Sequence, residues 1–416
     1  MTDVVVVGAG PAGLMGAIAA ARAGRRVCVC ERLPRPGAKL LASGGGRCNL
    51  TNLSGERDFV SSFGRQGRFI LPALHRLGPA ELRGFFAELG VPTRSDDGVH
   101  VYPASNRSAD VLNTLLGECR RLGVVLRLGE PVAALRLEAG RAVGVETAGG
   151  FVPAGRVIVA AGGKGYRSLG GTGDGYALAR QAGHDVVEPT PALVALTTRE
   201  AWPRSCAGLA VAGARLCIDL PRFRGERRTG DVLFTHTGIS GPAVLDLSGS
   251  VAELLRERPA VPIRVSFRPD VTADQWFERF EAWAEAGEKR LVRNLVACEL
   301  PARLADVICL AAGGAGDLRP PELSRAKRAQ LAAGLTATPL TVTATAGFEQ
   351  AMVTRGGVAL KQVEPHTLAS RLVEGLHFAG EVLDLDGPCG GYNLQWAFAS
   401  GHLAGVSCAG EGRERV

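Results

Sequence analysis

Lysine is scarce in this 416-residue chain: only positions 39, 164, 289, 327 and 361 carry it, so arginine supplies almost all the positive charge. That bias reads as genomic composition at least as much as function. Aromatic residues make up 5%, and no dense basic stripe is interleaved with them. A formal net charge of +7 would help to attract an anionic ligand, but nucleic acid is not an expected partner. The ten cysteines form no CxxC pair and no zinc-like spacing, and the histidines show no ligand-like grouping, so no metal is expected. Dispersed in this way, the cysteines suit a reduced compartment in which they act as small hydrophobes. No apolar run approaches the ~20 residues of a membrane span. Strand-like Val4–Val7 follows the first residues so closely that no signal peptide is expected, which points to a cytoplasmic protein without membrane contact. Internal repeats and low-complexity linkers are also missing.

A chain of this length divides into two or three domains. Hydrophobic residues at 46% and charged residues at 21% are ordinary globular values. The 56 glycines are clustered, and clusters mark tight turns or places where backbone meets a ligand. The continuous valines Val4–Val7 fit a strand buried on both faces of a parallel sheet. Gly8-Ala9-Gly10-Pro11-Ala12-Gly13 follows, then an Ala-rich helix from Leu14 to Ala23, and then a second buried strand, Val27 to Cys30, with Glu31 at its end. Residues 34–52 read as a Gly-rich polar loop, with helices expected near 79–89 and 109–122. Strand-like pieces at 124–128, 133–138 and 142–146 suggest a meander closed by 157–159. From 191 to about 269, short alternating pieces with Gly and Pro suggest a small β domain. Residues 272–334 turn helical, with Trp276, Phe277, Phe280 and Trp283 at helical spacing, which reads as domain core. Thr341–Thr345 returns to the β domain, and from about Val353 the strand-then-helix texture of the first domain resumes.

The N-terminal fingerprint carries the chemistry. Gly8 permits a tight turn, Gly10 lets amides approach a pyrophosphate, and Gly13 allows close packing of helix on strand. Pro11 and Ala12 open the helix whose N-terminus favours an anion. Glu31, eighteen residues after Gly13, stands where an acid can bond ribose hydroxyls. Such a site serves NAD or FAD, and three further segments favour FAD. Val157–Val159 runs into the small residues Ala160, Ala161, Gly162 and Gly163; Gly380-Glu381 ends a late strand with a carboxylate for a ribityl hydroxyl; and Gly391, Tyr392, Asn393 and Leu394 open an apolar helix whose amides can stabilise a reduced flavin. A second GxGxxG is absent, so any nicotinamide nucleotide must bind transiently.

The string Ala42-Ser43-Gly44-Gly45-Gly46-Arg47-Cys48-Asn49-Leu50-Thr51-Asn52 resembles the hallmark of the HI0933-like flavoproteins, the BaiN-type NAD(P)/FAD-dependent oxidoreductases. Phe234–Pro242 and Gly375–Asp384, the latter leading into Gly390–Phe398, resemble two more motifs of that family. The resemblance runs from residue 3 to about 405 and lies nearest a bacterial branch. It implies an α/β fold: a Rossmann-type FAD-binding domain formed by both chain ends and interrupted by an inserted β-barrel-like domain and a helical domain. The expected bounds are 1–190 and 353–416 for the FAD domain, 191–271 with 335–352 for the β domain, and 272–334 for the helical one. Two strings depart from the family pattern: Thr354-Arg355-Gly356-Gly357-Val358 where Thr-Ala-Gly-Gly-Val is usual, and Leu368-Ala369-Ser370-Arg371 where Met-Glu-Ser-Lys is frequent.

The full set of expected FAD contacts adds Arg32, Lys39, Ser43, Gly45, Gly46, Arg47, Cys48, Asn49, Val132 and Asp174 to the residues above. Asp174 lies in Gly171–Gly175, which resembles a segment of fumarate reductase and aspartate oxidase flavoproteins and would shape the cofactor site. Arg47 is a catalytic candidate, able to stabilise an anionic reduced ring or bind a carboxylate substrate, or else to clamp pyrophosphate or backbone. His236 is a second candidate, as a proton donor over the flavin or as a structural histidine. Dithiol chemistry between Cys48 and Cys389 would need their Cα atoms within about 7 Å. The resemblance implies FAD as bound cofactor, NAD(P)H as transient donor, and an activated double bond in a small molecule as acceptor. Two other readings stand beside it. One is an RNA-associated flavoprotein, using Arg279, Lys289, Arg290, Arg293, Arg325, Lys327 and Arg328 of the helical segment on phosphates. The other is a non-catalytic sensor in which the redox state of FAD sets domain closure.

Overall fold

The computed structural model describes residues 2–223 and 225–410. Two compact units are present: the chain up to Thr190 together with the chain from Met352, and Pro191–Ala351. The core of the first unit is a parallel sheet of five strands: β1 (Val4–Val7), β2 (Val27–Glu31), β3 (Val125–Leu128), β4 (Arg156–Val159) and β5 (Leu376–Phe378), in the order β5-β4-β1-β2-β3. All four valines of β1 are buried between two parallel neighbours, in register Val4↔Val27 and Val4↔Arg156. A strand covered on both faces has no polar side to show, which is why its sequence does not alternate.

β3 and β4 correct the expected meander. Both lie in the main sheet, beside β2 and β1, while the antiparallel meander consists of Val132–Glu138, Arg141–Thr147 and Gly150–Pro153. The helix Ser108–Arg121 precedes β3, so that strand closes a crossover; short apolar runs look alike in both settings, and only the connection tells them apart. Residues 34–52 are also more ordered than a loop, with a helix Ala38–Ala42, a tight turn Ser43–Gly46 and a two-residue strand Thr51–Asn52.

Helix α1 (Pro11–Arg22) and helix α2 (Tyr392–Ala409) join the beginning and end of the described chain. They cross backbone to backbone through small residues. A Cβ on Gly401 would lie 2.1 Å from Ala12 O, one on Gly405 2.3 Å from Gly16 O, and one on Gly16 3.0 Å from Gly401 O. Beneath α2, His377 of β5 is 5% exposed, with its Nδ1 3.3 Å from Cys408 Sγ.

In the second unit six strands close a barrel, in the order Leu196–Thr198, Gly238–Ser240, Arg227–Phe234, Ala210–Ile218, Val261–Ser266, Thr338–Thr345. The helix Pro242–Leu255, in a stretch expected to be wholly β, packs Ala243, Val244, Leu247, Val251 and Leu254 into the same core as the barrel strands. Gly241 caps this helix and Pro242 fills its first position. The aromatic stripe is core, as read: Trp276 and Phe280 are fully buried with ring centroids 6.0 Å apart.

Three substitutions in the first unit test this packing. Gly401→Val pushes α2 off α1 and lowers stability by about 1–3 kcal/mol, whereas Gly84→Ala, in an exposed helix position with nothing within 4 Å, raises it by about 0.5–1 kcal/mol; urea midpoints compare them. Burial, reinforced by Arg156, lowers the His377 pKa from 6.5 to about 4. The unfolded chain therefore takes up a proton on this residue at higher pH than the folded one does. Stability present above pH 6.5 is lost as pH falls towards about 4, by on the order of 3 kcal/mol. His377→Leu should flatten that part of the stability curve between pH 7 and 5.

Candidate functional site

The loops at the carboxyl ends of β1, β4 and β5 converge. Gly8 has φ +101°, and a Cβ there would sit 2.6 Å from Ala160 O and 3.0 Å from Ala161 Cα. A Cβ on Gly13 would strike Gly8 O at 1.9 Å, and one on Gly380 would strike Ala12 Cβ at 2.8 Å. Gly8 and Gly13 are required by close backbone approach, and Gly380 by its φ of +76° and the Ala12 methyl against it. Gly10 is different: nothing lies within 4 Å of its Cβ position, and Gly162 is equally open. Gly10 caps α1 without a side-chain bond, Pro11 fills the first position, and Leu14 is the first N–H bonded within the helix, at 2.9 Å to Gly10 O. α2 begins in the same way. Gly391, at φ +89°, caps it without a side chain, and Gln395 N–H is the first to bond back, to Gly391 O. Two helix starts from opposite ends of the chain thus present uncapped amides and positive dipole ends. Gly380 is tied to α2, its N–H donating to Ser400 Oγ and its carbonyl accepting from Trp396 Nε1.

Around these glycines the expected polar residues are linked to one another. Glu31, buried at the end of β2, accepts from Ala9 N–H at 2.7 Å and from Leu33 N–H at 2.8 Å, so it braces the glycine loop with lone pairs to spare. Val132 is buried nearby, two residues after Glu130, whose N–H donates to Glu31 O. Arg32 donates to Asp174 Oδ2 and Thr172 Oγ1, both at 2.6 Å. Lys39 Nζ lies 2.7 Å from Glu381 Oε2, and Glu381 Oε1 accepts from Thr354 N–H. Fully buried Thr354, which sequence reasoning did not single out, accepts from Lys164 N–H and Gly165 N–H. Gly163 fits only without a side chain, since a Cβ would lie 2.5 Å from both Glu381 and Thr354.

The Ser43–Asn49 turn is exposed at Gly44, Gly45 and Arg47, and its three glycines all have positive φ. Ser43 anchors it by donating to Leu40 O. The Asn49 amide, oriented by its neighbours, donates to Thr51 O and Val101 O and accepts from Gly391 N–H, tying the turn to the start of α2. Cys48 is buried, and burial pushes its thiol up to about 12, which leaves no thiolate for redox chemistry near neutral pH. Neither it nor Cys389 is joined in a disulfide. Arg47 donates to Gly44 O and lies with its guanidinium 4.7 Å from the centre of the Tyr102 ring. Tyr392 packs on Phe59, Leu394 is partly buried, and the Asn393 amide is engaged with Gly387 and Pro388 of its own loop. Asn393 therefore has its backbone rather than its side chain to offer a ligand.

His236 belongs to the second unit, where it is exposed in the turn between Arg227–Phe234 and Gly238–Ser240. Sequence reasoning also passed over His100 and Tyr102. The alternation His100-Val101-Tyr102-Pro103, with Val101 and Pro103 buried, was the available signal. Among the described residues no cluster of three or more His, Cys, Asp or Glu is placed to hold a metal ion, and no helix is long and apolar enough to cross a membrane.

Comparison with known proteins agrees with this geometry. The chain is 37% identical over 411 residues to the 3-dehydro-bile acid delta(4,6)-reductase of Clostridium scindens, covering 98% of this chain and 99% of that protein. It is 30% identical to the ribosomal RNA dihydrouridine synthase of Escherichia coli, covering 96% of each. In fold it resembles the 3-ketosteroid-delta4-(5alpha)-dehydrogenase of Rhodococcus jostii RHA1, with a TM-score of 0.54 at 19% identity over 98% of this chain and 96% of that one. The HI0933-like protein Rossmann domain matches residues 2–407, so the chain belongs to the HI0933-like family.

Proposed function

We propose that the chain binds FAD in its first unit and reduces a carbon–carbon double bond conjugated to a carbonyl, using NADH or NADPH as hydride donor. The observation that carries the cofactor assignment is the pair of glycine-capped, side-chain-free helix starts, α1 and α2, beside an open Gly10. Gly8, Gly10, Pro11, Ala12 and Gly13 would hold the pyrophosphate. Glu31 would use its spare lone pairs on the adenosine ribose, with Arg32, Val132 and Asp174 at that end. Lys39 and Glu381 would meet the ribityl chain beside Ala160–Gly163. Ser43–Asn49 would run along the ring, and beside Gly391 the amides of Tyr392, Asn393 and Leu394 would face its N1–O2 edge, stabilising negative charge there. When bound, FAD supplies a two-electron carrier between donor and acceptor.

The names of the two relatives support the reaction type. A delta(4,6)-reductase of a 3-oxo steroid saturates bonds conjugated to the C3 carbonyl, and a dihydrouridine synthase saturates the uracil C5–C6 bond conjugated to C4=O. The substrates differ, but the bond is of one kind. The higher identity to the bile-acid enzyme favours a small steroid-like acceptor. RNA is the second reading, supported by the 30% relative. Against it, four of the seven basic residues considered for phosphate contact are occupied: Arg279 by Glu299, Arg290 by Glu288, Arg293 by Asp306 and Asp317, and Arg328 by Glu281.

Purified protein should show a flavin spectrum that bleaches anaerobically with NADH or NADPH and recovers on addition of a 3-oxo-4,6-diene bile acid. Recovery with ribosomal RNA alone would move the assignment to the second reading; absence of flavin after reconstitution with FAD would sink both. Gly10→Val should keep the thermal midpoint of the FAD-free protein, since nothing lies within 4 Å of that Cβ, and lower FAD affinity at least 100-fold, because the side chain fills the pyrophosphate path.

A further inference from the structure

One face of the strand His100–Pro103 carries both His100 and Tyr102, two residues apart and half-buried. Tyr102 bears the Arg47 guanidinium on its ring and lies under Gly44, with its Cε1 3.5 Å from that residue's Cβ position. His100 points at the start of α2: a Cβ on Gly390 would lie 3.2 Å from His100 Nε2, and Gly390 has φ +112°. Gly390 is fixed in turn by Asn52, whose amide donates to its carbonyl at 2.9 Å. The other ring nitrogen is occupied. Nδ1 lies 2.6 Å from Asp97 Oδ2, and Asp97 Oδ1 accepts from the N–H groups of Val99 and His100. The carboxylate is thus held by its own turn and orients the imidazole so that Nε2 is the nitrogen directed at the Gly390–Gly391 loop.

We propose that His100 is the proton donor of the reductase reaction, with Asp97 as its positioning residue; the assignment rests on the function proposed above. The substrate's β carbon receives hydride, forming a C–H bond, and the π electrons of the C=C bond move onto the carbonyl as an enolate. The α carbon of that enolate then takes the proton from Nε2 of the imidazolium, and the carbonyl re-forms. The substrate gains two electrons and two hydrogens. The electrons come from NAD(P)H by way of the flavin, and the proton comes from His100, which is recharged from solvent. Asp97 holds the ring through Nδ1 so that Nε2 faces the substrate. Neighbouring groups serve less well. Arg47 does not give up its proton, the Cys48 thiol is fully buried, and Tyr392 OH is engaged with Ser54 Oγ at 3.3 Å.

The test uses His100→Gln and Asp97→Asn in the FAD-loaded protein and follows two half-reactions separately: anaerobic bleaching by NAD(P)H, and recovery with a 3-oxo-4,6-diene bile acid. His100→Gln should leave flavin content and bleaching unchanged and slow recovery by roughly 100- to 1,000-fold. Asp97→Asn should slow the same step by roughly 10-fold, again with bleaching intact. Recovery of His100→Gln at the wild-type rate overturns the assignment while leaving the reductase reading in place. An equal loss in both half-reactions also overturns it, by reducing His100 to a structural role. A wild-type flavin that bleaches but is not reoxidised by the conjugated ketone overturns the reductase reading, and this assignment with it.

Discussion

Everything at the candidate site depends on two helices touching through their backbones. α1 and α2 can run side by side, Ala12 against Gly401 and Gly16 against Gly405, only because glycines at 16, 401 and 405 remove the side chains that would separate them. That contact seats Gly380 against Ala12 and, through Ser400 and Trp396, fixes where the last strand of the sheet delivers Glu381. Such packing tolerates no added carbon, since side chains can repack and carbonyl oxygens cannot.

A second layer of order comes from polar groups satisfied internally before any ligand arrives. Glu31 holds the glycine loop, Arg32 holds Asp174, Lys39 holds Glu381, and Thr354 receives two amides beneath them. Arg355, where the family pattern usually has Ala, is absorbed in the same way, bonding Asp386 through Nε and Nη2. The site is therefore preorganised, and binding need not first order these side chains.

Much of this was legible in the residues. Gly8, Gly10 and Gly13 could be read because a tight turn, an open approach and a close packing each require glycine, and the structure shows those three different surroundings. The valines of β1 and the Ala-rich helix were equally plain. What escaped reading was whatever depends on distant partners. β3 and the meander strands look alike until their neighbours are known, and the helix Pro242–Leu255 lay inside a stretch read from its short alternating pieces as a small β domain. His100 shows in the sequence only as one member of a short alternation; its meaning comes from Gly390, brought to it by the fold from the far end of the chain. Thr354 escaped for the same reason.

The shared authorship of the site by residues 8–13 and 380–394 has a temporal side. At roughly 5–20 residues per second, the first helix waits tens of seconds on the ribosome for its partner. During that interval β4 has an open edge where β5 will pair, and the glycine face of α1 has no cover. An intermediate of that kind invites wrong pairing. The Pro191–Ala351 unit, with its own closed barrel and core, is synthesised within that wait and can bury its apolar surface without the missing segment. Cofactor capture then waits until residues 380–394 have been made and have reached the first helix, so the two halves of the site become competent together.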